Sequence, residues 1–161
     1  MEYYERVADK MLRDRLKAFG SVLIEGPKWT GKTTTAEQQA RSVVKMQDPD
    51  KANEYLAAAS IKPSLLLKGK QPRLIDEWQE IPFIWDEIRT EVDKRGEFGQ
   101  FILTGSSTPL MQKEKAQIMH SGVGRITTLI MRPMSLYESL DSTGGVSLND
   151  LFLGKKIKTQ E

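Results

Sequence analysis

Cysteine is absent from this chain of 161 residues, and histidine occurs only once, at His120. The lack of thiols excludes disulfides and thiolate chemistry, and it fits a reducing compartment. No apolar run reaches the ~18 residues of a membrane-spanning helix, and the first residues do not open a signal peptide. We therefore expect a cytoplasmic protein with no membrane partner.

A large excess of either charge is also lacking. The 24 Lys and Arg residues nearly balance the 22 Asp and Glu residues, and the two signs are interspersed along the chain. This balance does not favour nucleic acid as a partner. Residues 154–161 include Lys155, Lys156 and Lys158, and we interpret this segment as a flexible, solvated tail rather than a nucleic-acid-binding segment.

The most informative stretch that is present runs from Gly26 to Thr34 and reads GPKWTGKTT. It fits G-x-x-x-x-G-K-[ST], the phosphate-binding loop called Walker A. Glycines in such a loop allow tight turns and bring backbone N–H groups close to phosphate. Lys32 would reach the β- and γ-phosphates, and the Thr33 hydroxyl would bind Mg²⁺. The predicted nucleotide-binding residues are Gly26, Pro27, Lys28, Trp29, Thr30, Gly31, Lys32, Thr33 and Thr34.

The segments beside this loop are those that the motif requires. A short apolar strand is predicted over 21–25, and apolar spacing predicts a helix over 33–44. The alternative is a glycine-containing turn that binds nothing. Within the loop, Trp29 would either pack over a nucleotide or cover the loop as an aromatic lid.

A second motif, Leu74 to Glu77, places two acids at the end of an apolar strand. In this interpretation Asp76 is a Walker B residue that holds Mg²⁺ through water. Glu77 then polarises a water for attack on the γ-phosphorus, which favours hydrolysis over phosphoryl transfer to a small molecule. The alternative is a pair of exposed acids at a helix start, where carboxylates favour the helix dipole.

Two further segments offer candidate catalytic residues. The apolar strand that begins near Phe101 ends in hydroxyls, and Thr104 or Ser106 would face the γ-phosphate; the alternative is ordinary strand-end turn chemistry. Further on, Arg125 follows two glycines and would neutralise transition-state charge, either in the same chain or toward a neighbouring subunit. The alternative for Arg125 and for His120 is a solvated loop residue, which we favour for His120.

Strands alternate with helices along the chain, which predicts βαβ units and a mainly parallel sheet. Ligands of such sheets bind at the carboxyl ends of the strands. Asp48 or Asp50 is expected to cap the helix that follows it. Helices are predicted over 2–19, 33–44, 51–60, 83–95, 135–139 and 147–152, and the remaining strands over 42–47, 73–76, 99–105 and 125–131. The segment 107–124 between the last two strands is expected to be a long loop.

Together these motifs resemble the AAA-type ATPases predicted in bacteria and archaea. The resemblance rests on the phosphate loop, on LIDEWQ from Leu74, on FILTGS from Phe101, and on Gly124-Arg125 followed by MRPMSLYE from Met131. It implies a P-loop three-layer α/β sandwich with five strands in the order 5-1-4-3-2, and ATP and Mg²⁺ as ligands. The site positions that it implies are Lys32, Thr33, Asp76 and Glu77, with Thr104 or Ser106 as the sensor and Arg125 as the candidate arginine.

Proteins of that family usually carry a second domain after the ATPase domain, whereas this chain ends soon after its last motif. We therefore expect an ATPase core over 1–153 whose C-terminal lid and second domain are absent. That missing domain or an unknown protein is the expected partner, and self-association through Arg125 is a further one.

The function predicted from the residues is Mg²⁺-dependent binding of ATP and its hydrolysis to ADP. Lys32, Glu77, Ser106 and Arg125 are the predicted catalytic residues, and Thr33 and Asp76 the predicted metal ligands. A nucleotide-gated binding module with negligible turnover and a small-molecule kinase are the alternatives. Adenine is the expected base, because no guanine-reading N-K-x-D segment is present.

Overall fold

The computed structural model describes residues 3–106 and 122–155. Its contacts divide the chain into two units. One unit is the continuous segment Val7–Pro133, and the other combines Met1–Arg6 with Met134–Glu161. The phosphate loop, the acidic pair and the sheet that carries them all belong to the first unit.

A five-stranded sheet runs through the unit Val7–Pro133. Its strands are β1 (Ser21–Gly26), β2 (Ser42–Lys45), β3 (Arg73–Asp76), β4 (Phe101–Ser106) and β5 (Ile126–Ile130). Their spatial order is β2-β3-β4-β1-β5, and every neighbouring pair is parallel. The expected α/β P-loop fold is thereby confirmed, because this is the order 5-1-4-3-2 read from the other edge of the sheet.

Helices connect most of the strands, as parallel pairing requires. They are α1 (Val7–Leu16), α2 (Lys32–Glu37), α3 (Ala52–Ile61), α4 (Ile84–Arg95) and, in the second unit, α5 (Leu148–Phe152). Two single 3₁₀ turns cover Pro63–Leu65 and Trp78–Glu80. The predicted segments at 42–47, 51–60, 73–76, 83–95, 99–105, 125–131 and 147–152 agree with the observed elements to within two residues at each end.

Apolar side chains on both faces of the sheet create two separate cores. In β1, Leu23 belongs to one core and its neighbours Val22 and Ile24 belong to the other, because successive side chains of a strand point to opposite faces. The Leu23 core includes residues of α3 and α4, and the other core includes residues of α1 and α2. Helices on each face of a parallel sheet give the expected three layers.

Two predicted helices are shorter in the structure. The first begins at Val7 rather than Glu2 and ends at Leu16, since Arg15 accepts backbone hydrogen bonds from two residues beyond that point. The helix predicted over 33–44 ends at Glu37. Ser42 already pairs with Arg73 as the first residue of β2, so sheet pairing overrides the helical spacing of the sequence.

Two further local predictions are wrong. No side chain caps α3; Asp48 instead uses its carboxylate to accept the N–H of Asp50 at 3.0 Å, which closes a turn. Residues 136–140 form a turn and no helix, although Ser139 N–H bonds the carbonyl of Ser135. His120 and most of the predicted loop lie outside the described residues, as does nearly all of the predicted tail.

The second unit joins the two ends of the sequence through a buried ion pair. Arg6 Nε lies 3.0 Å from Glu138 Oε1, and both side chains are less than a tenth exposed. The other carboxylate oxygen of Glu138 accepts from the backbone N–H and the hydroxyl of Ser135. In this unit, the hydroxyl of Ser147 caps α5 by accepting the N–H of Asp150. Among the described residues, no helix has the length and apolar character needed to cross a membrane.

Candidate functional site

The carboxyl edge of the sheet brings the sequence motifs together. Gly26 at the end of β1 stands opposite Ser106 at the end of β4, and Asp76 at the end of β3 stands opposite Thr104. Neighbouring strands in a sheet lie about 4.8 Å apart. Residues separated by some 80 positions in the sequence therefore meet at one edge.

The loop from Gly26 to Gly31 requires an unusual backbone. Gly31 has a φ of 86°, and Trp29 has a φ of 66°, a left-handed conformation that is uncommon for a residue with a side chain. A Cβ atom at Gly26 would overlap the backbone oxygen of Met131. The two motif glycines thus serve a close approach and a left-handed turn, while the Trp29 indole is fully exposed at the rim.

Lys32 is buried and folded back onto the loop. Its Nζ donates to the carbonyl of Pro27 at 2.7 Å, and the Thr30 hydroxyl donates to the same oxygen at 3.0 Å. The Lys32 residue is 6% exposed. An anionic oxygen accepts a hydrogen bond from an ammonium more strongly than a neutral carbonyl oxygen does. The Lys32 ammonium would therefore bind an anion in preference to the carbonyl of Pro27.

The Asp76 carboxylate connects the loop to the next strand. Its Oδ1 accepts from the Thr33 hydroxyl at 2.7 Å and from the Thr104 hydroxyl at 2.5 Å. Thr104 is fully buried and also accepts the backbone N–H of Glu77 at 3.2 Å. Thr104 and Ser106 were the two candidates for the sensor role. The hydroxyl of Thr104 is hydrogen-bonded to Asp76 and Glu77, whereas Ser106 borders the open cleft.

Glu77 is held at the start of a turn with a strained backbone. Its φ and ψ of 58° and 52° are left-handed, and the following residues form the 3₁₀ turn Trp78–Glu80. The carboxylate of Glu77 accepts a hydrogen bond from the side-chain amide of Gln79. Non-glycine residues in this conformation concentrate at functional sites, where the surrounding structure fixes them.

A cleft of about 550 Å³ opens beside these groups. This volume is in the range of small-molecule sites. The residues that line it are Lys28, Trp29, Gly31, Lys32, Thr33, Thr34, Gln47, Glu77 and Ser106. The cleft therefore joins the phosphate loop to the second acid and to the end of β4.

An ion pair outside the loop lies near this edge. The hydrogen bond and charge of Glu37 raise the pKa of Lys45 above its ordinary value, and their Nζ and Oε1 atoms lie 2.7 Å apart. Lys45 is the last residue of β2 and stands opposite Asp76 in the register. It consequently stays charged over the whole neutral range.

Arg125 lies at the opposite end of the strands, where the parallel strands begin. We call this the amino edge of the sheet. Its carbonyl accepts the N–H of Ser21 at the amino end of β1, about 17 Å of strand away from Gly26. Its guanidinium pairs with Asp93 at 2.6 Å, and the hydrogen bond that it donates to Asp93 raises the pKa of Arg125. Arg125 therefore lies away from the phosphate loop of its own chain, and a role at that nucleotide stays a prediction. The alternative role toward a neighbouring subunit stays a prediction.

The residues at the carboxyl edge fit a nucleotide with Mg²⁺. The described residues contain no group of three or more His, Cys, Asp and Glu that would hold a metal ion alone. Mg²⁺ does not need such a group, since it usually takes one or two protein oxygens and keeps several waters. The hydroxyl of Thr33 and the carboxylate of Asp76, already 2.7 Å apart, would supply hard oxygen ligands of that kind.

The sequence motifs did not identify two glutamines that lie beside the site. Gln47 lines the cleft and donates to Glu80 at 2.9 Å, and Gln79 donates to Glu77. A signal was present for Gln47, which is the last residue of the predicted strand 42–47 and so lies at the carboxyl edge. Gln79 had no such signal, because only the turn geometry brings it to Glu77.

Comparison with known proteins agrees with this geometry. Residues 18–140 match the model of a family described as AAA domain. A search of curated proteins found no match to the chain. The matched segment contains the whole sheet, the phosphate loop and the acidic pair, and such domains bind nucleotides. The chain therefore belongs to the AAA domain family.

Proposed function

We propose that this chain binds ATP together with Mg²⁺ and hydrolyses it by attack of water on the γ-phosphorus. The observation that carries the proposal is the position of Glu77, which lines the same cleft as Lys32 and Thr33. A phosphate loop alone accounts for binding. A carboxylate on the open side of the same cleft adds a group that can polarise water.

Lys32 and the loop backbone hold the phosphates in this proposal. The ammonium of Lys32 exchanges the carbonyl of Pro27, now 2.7 Å away, for oxygens of the β- and γ-phosphates. The backbone N–H groups of the loop point at the same oxygens, as the left-handed turn at Gly31 favours. These interactions act in a partly closed cleft, where they are stronger than in water.

Thr33 and Asp76 would hold Mg²⁺ in this proposal, directly or through water. When bound, the ion neutralises negative charge that develops on the phosphate oxygens. The contact between Thr33 and Asp76 keeps both ligands on the same side of the loop before the ion arrives. Thr104 fixes the remaining freedom of Asp76 through its own hydrogen bond.

Glu77 orients and polarises the attacking water. Ser106 borders the same cleft at the end of β4 and, in this proposal, hydrogen-bonds either the water or the γ-phosphate. The isosteric change Glu77→Gln keeps the shape of the side chain and removes its negative charge. We expect phosphate release to fall by about 10²–10⁴-fold while the Kd for MgATP stays within a few-fold of the parent value.

The test measures phosphate release without any acceptor, next to calorimetric binding of MgATP. Release of phosphate by the parent chain excludes a small-molecule kinase, which needs an acceptor. Equal rates for the parent and Glu77→Gln would contradict the water-activating role. Tight binding with negligible release by the parent would instead favour a nucleotide-gated binding module.

A further inference from the structure

The side chain of Gln79 is tied to the carboxylate proposed to activate water. Gln79 lies two residues after Glu77, in the 3₁₀ turn Trp78–Glu80, and its Nε2 donates to Glu77 Oε2. The turn makes this contact feasible, because Glu77 begins it with a left-handed backbone. The contact therefore depends on the same strained residue that faces the cleft.

This contact determines the orientation of the Gln79 side-chain amide. A carboxylate only accepts hydrogen bonds, so the nitrogen of Gln79 must face Glu77 and its carbonyl oxygen must face inward. That oxygen, Oε1, is buried and has no hydrogen-bond partner among the described residues. A Cβ atom at Gly105 would lie 2.8 Å from it, so the absence of a side chain at Gly105 makes room for the inward end.

An inward carbonyl without a partner costs stability, since it loses water and gains nothing in return. Such groups are rare in folded proteins and call for an explanation, of which a catalytic role is one. A residue chosen for packing alone would be apolar here. The bond that Nε2 makes to Glu77 offsets part of the cost at Oε1.

We propose that Gln79 is a positioning residue for hydrolysis, and this inference rests on the function proposed above. It fixes one oxygen of the Glu77 carboxylate and leaves the other, Oε1, to accept a hydrogen bond from the attacking water. Thr104 fixes the backbone of Glu77 at the same time. Held at both its backbone and its side chain, Glu77 presents its carboxylate to the cleft in one orientation.

The decisive variant is Gln79→Met, which keeps the length of the side chain and removes the donor and the unpaired oxygen. We expect kcat to fall by about 10- to 100-fold, since a misplaced catalytic group can cost that much. We expect the Kd for MgATP to stay within twofold and Tm not to fall. Gln38→Met, the same change at an exposed residue beyond the end of α2, is the matched control and should leave all three values unchanged.

Failure of this inference differs from failure of the proposed function. If Glu77→Gln abolishes turnover while Gln79→Met keeps the parent kcat, Gln79 has no positioning role. Loss of kcat with a parallel rise in Kd or fall in Tm would also overturn it, because that pattern describes a structural residue. Equal turnover of the parent and Glu77→Gln would overturn the proposed function itself.

A second measurement does not depend on turnover. The side-chain amide protons of Gln79 are assigned by NMR from the peaks missing in Gln79→Met. In Glu77→Ala these protons lose their charged acceptor, so their resonances should move clearly from the parent positions. Unchanged resonances would show that the hydrogen bond is absent and would overturn the inference.

Discussion

The carboxyl edge of the parallel sheet, where the strands end, and the amino edge, where they begin, both carry charged and polar residues. The two edges differ in how far those residues are buried. At the carboxyl edge, Asp76 accepts hydrogen bonds from Thr33 and Thr104 and is only 9% exposed. At the amino edge, the side chains of Arg125 and Asp93 form an ion pair while 40% and 52% exposed. Charge is thus desolvated and fixed at one edge, and solvated at the other.

This difference in burial determines how strongly the charges at each edge interact. Charges in a partly closed cleft interact more strongly than solvated ones, and salt screens them less. Exposed ion pairs contribute little to stability because water competes for both partners. Substitutions at the carboxyl edge should therefore alter binding and chemistry, whereas those at the amino edge should have small effects within a single chain.

The largest effect on nucleotide binding is expected for Lys32→Ala. Removing the buried ammonium takes away charge-assisted hydrogen bonds to two phosphates, each worth about 1.5–3 kcal/mol. The Kd for MgATP should rise by at least about 100-fold in calorimetry. Lys94→Ala, which removes an exposed ammonium from α4, is the control and should bind normally. Unchanged affinity in a folded Lys32→Ala variant would contradict the phosphate-loop assignment.

Arg125→Ala tests whether a residue of the amino edge also contributes to activity. If Arg125 serves the cleft of a neighbouring copy, specific activity should rise with protein concentration. An arginine supplied in this way is worth about 10³–10⁵ in rate in related phosphoryl transfers. The variant should flatten that rise without weakening nucleotide binding.

The measurement for Arg125 is phosphate release per molecule over a wide range of protein concentration. Asp93→Asn is a useful companion, because it frees the guanidinium from its ion pair and keeps it charged. Activity per molecule that is independent of concentration, with Arg125→Ala equal to the parent, would leave Arg125 as an ordinary solvated residue of the amino edge.

Thr104→Val sharpens the comparison by removing one hydroxyl from the carboxyl edge. The shape is kept, but Asp76 and the backbone of Glu77 each lose a buried partner. We expect the free energy of unfolding to fall by about 1–3 kcal/mol. Thr127→Val on β5 is the matched control and should change it by less than about 0.5 kcal/mol. Equal denaturation midpoints for the two variants would show that the Thr104 bonds contribute nothing.

The smallest effect concerns Glu91 on α4. Burial raises the pKa of Glu91, but hydrogen bonds from Arg95 and Lys94 outweigh it and hold the pKa below its usual value of 4.5. A lowered pKa in the folded state stabilises the fold above the unfolded pKa, and this contribution disappears as the pH falls through the folded pKa. Glu91→Gln should therefore cost less than about 1 kcal/mol at neutral pH.

The check for Glu91 is denaturant unfolding of the parent and the variant from pH 7 to pH 3. The difference between them should shrink toward zero at the acid end. Glu87→Gln, on the same helix but at a residue that forms no ion pair within the described residues, should show no such trend. A constant difference at all pH values would assign the effect to packing.

The residues of the site could be predicted from local sequence because each motif follows the end of an apolar strand. The loop Gly26–Thr34 and the pair Asp76 and Glu77 were identified in this way, and the structure brings them to one edge. The split roles of Thr104 and Ser106 could not be predicted, because alternation along β4 and the register with β3 decide which hydroxyl meets Asp76. The distance of Arg125 from the phosphate loop of its own chain could not be predicted for a similar reason, since a strand has two ends and only the topology fixes which one adjoins the loop.

The sequence by itself determined the strand–loop–helix unit around Lys32, the alternation of strands and helices, and the chemistry available at the strand ends. These properties depend on residues close together in the chain, whose spacing and turn preferences act locally. Tertiary structure alone decided where α2 ends, how Asp76 is held by two hydroxyls, and that Gln79 reaches Glu77. These features depend on contacts between distant segments or on a strained backbone, and sheet pairing can override local helical preference because it buries more apolar surface.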